Sequence, residues 1–412
     1  MSCFGPADIL LPREELLEKW AVIACDQFSS EPEYWAETER IVGAAPSALR
    51  LILPEAALES AGAERIAAIH RSMEEYLQGG VFREYKNAFV YVERTLRDGS
   101  VRQGVVGMLD LEAYDYRADA NTPVRATEET VTGRIPPRMQ IRAGAALELP
   151  HALLLCDDAE DLLIGLLSRQ KAAFPKLYDF ELMQGGGHVA GWLVEGVVAR
   201  RLRQRLDTYA AGRKLQFAVG DGNHSLATAK ACWEALKKER PGEDLSGHPA
   251  RYALVELENL RSPAQRWEAI HRLVTGCDAK ALITAVRREL DDGEGAPIVC
   301  LCGGEELKLF VSTRDGVLPV ARLQAVLDAW LREHAGSIDY IHGEAALRAL
   351  CASEGAAGFL LPAPDKEALF PGIAAGGVLP RKTFSMGSAR EKRYYLEARK
   401  IVCCKSHSLI GK

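Results

Sequence analysis

The sequence lacks the marks of several large protein classes. No apolar run approaches the roughly 18 residues that span a bilayer, so no membrane partner is expected. The opening Met1-Ser-Cys-Phe-Gly-Pro-Ala-Asp8 has no basic stretch followed by an apolar one. No secretory leader is therefore expected, and the default location is cytoplasmic. The net charge of −6 argues against a chain that coats nucleic acid, whose affinity would rest on basic surface. A local basic pocket for a phosphorylated small molecule stays open. Internal repeats and low-complexity linkers are absent. Ten cysteines are present, but no pair has C-x-x-C spacing beside a pair of histidines, so zinc is not expected. Cys25 and Cys156 sit in apolar strings and read as small buried hydrophobes. Cys403 and Cys404 leave a redox role open.

The balance of 48% hydrophobic and 26% charged residues over 412 positions is that of a globular chain with room for two or three lobes. A helix is expected around Arg13–Trp20, a short strand over Ala21–Cys25, and a helix over Ala63–Gln78 that stops at Gly79-Gly80. Phe89–Thr95 and Val101–Leu109 read as paired strands around Asp98-Gly99. Ala152–Cys156 and Tyr252–Leu257 read as strands. Helices are expected over 161–171 and 194–208, flanking a loop at 179–187. The last third alternates helices (278–292, 323–333, 344–353) with strands (297–302, 307–312, 358–361), closing with a helix over 389–399. Such mixing implies an α+β fold, mixed sheets with flanking helices. Vague boundaries are drawn at 1–125, 126–275 and 276–412: an α/β lobe, a core and a second α/β lobe.

The most informative stretch is Gln216-Phe-Ala-Val-Gly-Asp-Gly-Asn-His-Ser225. A short apolar strand runs into two glycines, then into a helix whose Leu226, Ala229, Trp233 and Leu236 share one face. Asn223 or Ser225 can cap that helix. Its first turn would present unpaired amides and the positive end of the helix dipole, which suit phosphate. Gly220 and Gly222 permit close backbone approach and positive φ. Asp221, Asn223 and His224 bring a carboxylate, an amide and an imidazole to the same mouth. An Asp-Gly-Asn string is also good turn chemistry with no ligand. The run is neither a Walker A loop nor a dinucleotide fingerprint.

Four further polar clusters fall in expected loops. Asp26-Gln-Phe-Ser-Ser30 follows a strand, where Asp26 would serve as general base or metal ligand and Gln27 would touch substrate, or where both only cap a turn. Glu128 and Glu129, followed by Arg134, Arg138 and Arg142, would clamp an anionic substrate or form a solvated hairpin. His188, after three glycines, reads as an acid–base or substrate group, or as a loop anchor. Lys382, within Arg381-Lys-Thr-Phe-Ser-Met-Gly387, would hold phosphate oxygens or simply face water. Asp339-Tyr-Ile-His-Gly343 reads as an element end, and His271 and His334 as structural.

Seven strings together resemble one large bacterial family, the domain-of-unknown-function family numbered one thousand and fifteen. They are Ala21-Val-Ile-Ala-Cys-Asp-Gln-Phe-Ser-Ser30, Arg134-Ile-Pro-Pro-Arg138, Leu147-Glu-Leu-Pro-His151, Gly220-Asp-Gly-Asn-His-Ser-Leu-Ala-Thr-Ala-Lys230, Ala250-Arg-Tyr-Ala-Leu-Val-Glu256, Ile338-Asp-Tyr-Ile-His-Gly343 and Pro380-Arg-Lys-Thr-Phe-Ser-Met-Gly387. The resemblance supplies no activity. The Asp-Gly-Asn-His-Ser element is also similar to the Asp-Gly-His-His-Arg element of free-serine kinases in the ParB/sulfiredoxin-like superfamily. That likeness implies a ParB/sulfiredoxin-like strand–loop–helix core. Gly220, Gly222, Asn223, His224 and Ser225 would hold phosphates of ATP or ADP, with Asp221 near the transferred group or its Mg²⁺. Ser225 stands where that pattern has a basic residue, so Arg138, Arg142 or Lys382 must supply the charge.

The leading expectation is a nucleotide-dependent phosphotransferase acting on a small hydroxylated or carboxylated metabolite. Asp221, His224, Asp26 and Glu128 are its candidate catalytic residues, and Asp221 the metal ligand. The alternatives are a nucleotide- or metabolite-binding regulator without turnover and a small-molecule hydrolase using His188 or His224. A homodimer is compatible with any of these.

Overall fold

The computed structural model describes residues 1–29, 31–58, 62–352, 355–380 and 382–402. Ser30, Arg381, Cys403 and Cys404 lie outside the described residues. The chain divides into two compact units. The larger comprises Met1–Ala126, Thr130–Gln265 and the segment from Ser388 onward; the smaller comprises Thr127–Glu129 and Arg266–Gly387. The expected boundary near residue 125 falls within the larger unit's sheet, since strands on both sides of it belong to that sheet.

An eleven-stranded mixed sheet organises the larger unit. Its main path runs 176–181, 188–194, 82–95, 101–110, 252–259, 153–156, 217–221, 124–126 and 114–115. Side chains alternate across a strand with period two, and the sequence uses both faces. Val90 and Val92 enter one apolar core, while Phe89 and Tyr91 enter the other. The Ala63–Gln78 helix contributes Ile69 and Met73 to the first core. The Gly196–Ala210 helix contributes Leu202 and Leu206 to the second, as the Asn223–Glu239 helix contributes Leu226 and Trp233. Each such side chain stabilises the fold by about 1.5–3 kcal/mol through burial. With both faces covered, a strand end is where the sheet can still present polar groups.

The smaller unit has a six-stranded antiparallel sheet, with 305–311, 296–302, 356–360, 267–275 and 337–342 in order and 384–386 also paired to 267–269. The Ala279–Leu290 helix, capped by the Asp278 side chain, packs with the Pro319–Glu333 helix on its core.

The α+β expectation holds, as does the Asp98-Gly99 hairpin. Three local expectations do not. The loop at 179–187 is the end of a strand hairpin, Lys176–Glu181 with His188–Val194, whose turn uses positive φ at Gly185 and Gly187. Trp267–Thr275 forms an unforeseen strand. The closing helix over 389–399 is a short 3-10 turn at Ala389–Glu391 followed by extended chain. Its tyrosines and the charged side chains of Arg393, Glu397 and Arg399 are buried, and they are spent on partners in the larger unit rather than on a solvated helix face. Among the described residues no helix is long and apolar enough to cross a membrane.

Candidate functional site

The Phe217–Asp221 strand pairs with 153–156 on one side and 124–126 on the other. It ends at Gly222, which has φ 76° and ψ 27°. A Cβ there would lie 2.7 Å from the Ala152 Cα, so both conformation and space require glycine. The helix starts at Asn223. Gly222 is its N-cap and no side chain caps it, which corrects the expected capping by Asn223 or Ser225. Gly220 is not among the residues with positive φ. The first-turn amides thus have no side-chain acceptor, and among the described residues the buried Asn223 Oδ1 and His224 Nε2 have no hydrogen-bond partner. A buried polar atom without a partner costs about 1–3 kcal/mol, and here two such atoms belong to adjacent residues at a helix start.

Asp221 accepts the Gly222 N–H at 3.0 Å through Oδ1, and its Oδ2 lies 3.1 Å from Lys392 Nζ. Lys392 was not foreseen, because its segment read as a helix. It is aimed by Arg94, whose buried guanidinium donates to the carbonyls of Gly186 (2.8 Å), Arg390 (2.7 Å), Glu391 (3.1 Å) and Lys392. Burial and the nearby Arg102 bring Arg94 down to about 9. The clamp ties the glycine turn at 185–187 to the turn that carries Lys392.

Asp26 belongs to the same cluster. Burial alone would push its carboxyl up, but His151, a hydrogen bond from Gln27 (3.1 Å) and the Lys392 charge outweigh burial and hold it below the usual range. His151 in turn lies 2.8 Å from the Tyr395 hydroxyl, which accepts the Cys25 N–H at 3.2 Å. His224 is brought down to about 4 by burial and by Arg138 and Arg134, against the opposing pull of Glu55 and Asp26. Both arginines reach Glu55, at 3.1 and 3.7 Å, and Glu55 is tethered to the turn that carries Asp26 by a backbone bond to Cys25. The structure therefore brings together Asp26, Gln27, Asp221, Asn223, His224 and Arg138, and adds Arg134, His151 and Lys392.

Other expected residues lie elsewhere. Arg142 is held at 2.6 Å by Glu148, a buried carboxylate shared with Arg399. His188 Nε2 lies 2.8 Å from Asp179 in the 176–194 hairpin, five strands along the sheet from 217–221. Glu128 and Lys382 belong to the smaller unit. There the Glu128 carboxylate accepts the N–H groups of Lys382 (2.9 Å), Thr383 (3.0 Å) and Phe384 (3.4 Å), fixing a turn in which Lys382 has φ 58°. Ser225 is half-buried at the helix start.

The His224 environment has a pH signature. An unfolded histidine takes up its proton near 6.5, whereas this one resists until about 4. Between those values the unfolded state binds more protons, so stability falls as pH drops from 6.5 to 4. The loss attributable to this group is on the order of 2 kcal/mol. Urea midpoints at stepped pH should show a shallower acid decline in His224→Gln than in the parent, and parallel declines would refute this environment.

A family model described as protein of unknown function (DUF1015) matches residues 6–341. Comparison with curated proteins gives no match. Among solved structures, the chain is similar to C-terminally truncated SbnI from Staphylococcus aureus (10% identity, TM-score 0.36, covering 71% of this chain and 82% of that one). It is also similar to free serine kinase in complex with AMP (14%, TM-score 0.39, 71% and 91%). A conserved hypothetical protein from Pyrococcus furiosus is similar as well (12%, TM-score 0.35, 72% and 94%).

Proposed function

We propose that this chain, which belongs to the DUF1015 family, binds a nucleotide by its phosphates at the Gly220–Ser225 turn and transfers a phosphoryl group to a small hydroxylated or carboxylated metabolite. The observation that carries this reading is the helix start without a side-chain cap, where Asn223 Oδ1 and His224 Nε2 are buried and unpartnered. An amide turned end for end offers its NH₂ instead of its oxygen, and a neutral imidazole offers one N–H. Either group then serves a phosphate oxygen beside the helix amides. Lys392 supplies the cation that Ser225 does not, and Arg134 and Arg138 add positive charge. Phosphoryl transfer needs positioning and neutralisation more than covalent chemistry. Asp26, half-buried and held ionised, is the group to take the acceptor's proton.

The residues do not fit a Mg²⁺ ion held by the protein itself. Asp221 is already engaged by Lys392 and Gly222, and no group of three potential ligands occurs among the described residues. No step is assigned to a protein-bound metal.

Isothermal titration with ATP and ADP, each with and without Mg²⁺, tests the reading. The parent should bind, and Lys392→Met should weaken binding by about tenfold, the loss of one charge-assisted contact. Absence of binding by the parent, or equal binding by Lys392→Met and His224→Ala, would overturn it.

A further inference from the structure

A cavity lies at the far end of the strand pair that carries the Gly220–Ser225 turn. In the antiparallel pair, Leu153 stands opposite Asp221 and Leu155 opposite Ala218. The chain leaving Cys156 into Asp157 and Asp158 is therefore at the end remote from Gly222. There a cavity of about 530 Å³ opens between the 157–163 loop and the C-terminal half of the Gly196–Ala210 helix. That volume is within the usual range for small-molecule sites, ~300–1,000 Å³.

Its two walls differ in chemistry. On the helix side, Arg205 and Tyr209 are four residues apart and share a face. Gly212, at φ 74°, turns the chain back after the helix, and Arg213 lies over the Tyr209 ring at 4.3 Å. Tyr209 is itself fixed, its hydroxyl donating to the Gln216 carbonyl and accepting the Asp157 N–H, both at 3.0 Å. Arg205 is half-buried and makes no hydrogen bond or ion pair among the described residues. The opposite wall carries Leu163, buried, and Leu162, 41% exposed at the rim.

The acidic residues nearby are mostly committed. Asp157 binds Arg261 at 2.6 Å. Asp158 accepts the Leu163 N–H at 2.8 Å, and burial, with Asp161 and Glu160, pushes its carboxyl up. Only Glu160, exposed at the rim, is left against two guanidiniums. A planar guanidinium pair beside an apolar ledge suits a doubly charged oxyanion on an apolar body.

We propose that this cavity is a second ligand site, which takes a small phosphate monoester: the phosphate between Arg205 and Arg213, the organic part on Leu162 and Leu163. The site is independent of the nucleotide reading, because it shares no residue with the Gly220–Ser225 cluster. The loop and helix that form it flank the two strands leading from one site to the other.

Phenyl phosphate is the probe, titrated calorimetrically at low salt, with phenol and inorganic phosphate in parallel. The parent should bind phenyl phosphate with a Kd near ~1 mM or tighter, and bind phenol and inorganic phosphate more weakly. R205Q/R213Q should weaken phenyl phosphate by at least about tenfold, and Leu162→Glu, a surface change that leaves the fold intact, should weaken it too. His224→Ala should bind as the parent does. Melting curves establish that each variant is folded. The proposal is overturned if the parent does not bind, if R205Q/R213Q and Leu162→Glu bind unchanged, or if His224→Ala alone abolishes binding. In the last case phosphate enters only the helix site.

Discussion

Asp26→Asn is expected to reduce phosphoryl transfer by about 10²–10⁴-fold, the usual contribution of a positioned general base, with little change in nucleotide affinity. The carboxylate is half-buried, yet His151, Gln27 and Lys392 hold it ionised. Gln27 occupies one oxygen at 3.1 Å, which leaves the other for a substrate hydroxyl. The next residue but one, Phe28, has φ 53° and stacks on Tyr34 at 3.8 Å. A bulky residue in the left-handed region is strained by on the order of 1–3 kcal/mol, and the stack with Tyr34 holds it there. The measurement is ATP consumption over a panel of small alcohols and hydroxy acids, with nucleotide binding followed in parallel. Because the carboxyl lies below its usual range, the parent's rate should persist into mildly acidic solution. Turnover by the Asn variant within tenfold of the parent would remove Asp26 from this role.

The largest effect on stability is expected at Arg393. Its guanidinium meets Glu256 at 2.7 Å and Glu397 at 2.8 Å, and all three side chains are at most 9% exposed. Glu397 also accepts the Tyr178 hydroxyl at 2.6 Å. Arg393→Met strands two buried carboxylates. Breaking a buried pair from one side costs about 3–5 kcal/mol, far more than the pair adds relative to apolar residues. Urea unfolding should register that loss, and adding Glu397→Gln should restore part of it. A loss below about 1 kcal/mol would mean that water or rearrangement relieves the carboxylates.

The parts of the site that are local in sequence were legible there. The strand, Gly222 and the amphipathic helix announce themselves through glycine and a 3.6-residue period, and so does the Ala63–Gln78 helix, whose bounds match. What was hidden depends on contacts between distant residues. His151 and Tyr395 are 244 positions apart, and no periodicity reports such a pair. The segment after Ser388 misled for a physical reason. Its Arg393 and Glu397 stand four residues apart, a helical spacing that usually marks a solvated face, but both are buried. The glycines at 185–187 read as loop because hairpin turns and flexible loops draw on the same residue. Glu128 and Lys382 looked like site residues because charge density in a sequence does not distinguish a ligand clamp from a carboxylate that fixes a neighbouring turn.

The larger unit is interrupted by residues 266–387 and completed only by the chain after Ser388. That order governs how the protein can be made. Glu256 is translated long before Arg393, its buried partner, and Glu148, which Arg142 already meets, long before Arg399. At about 5–20 residues per second, the intervening stretch keeps a nascent chain waiting on the order of ten seconds. During that wait Glu256 lacks Arg393, and Asp221 lacks Lys392. Folding of the larger unit is thus tied to synthesis of the stretch after Ser388, so a chain released at residue 387 would lack both the ion pairs and the last cation of its candidate site.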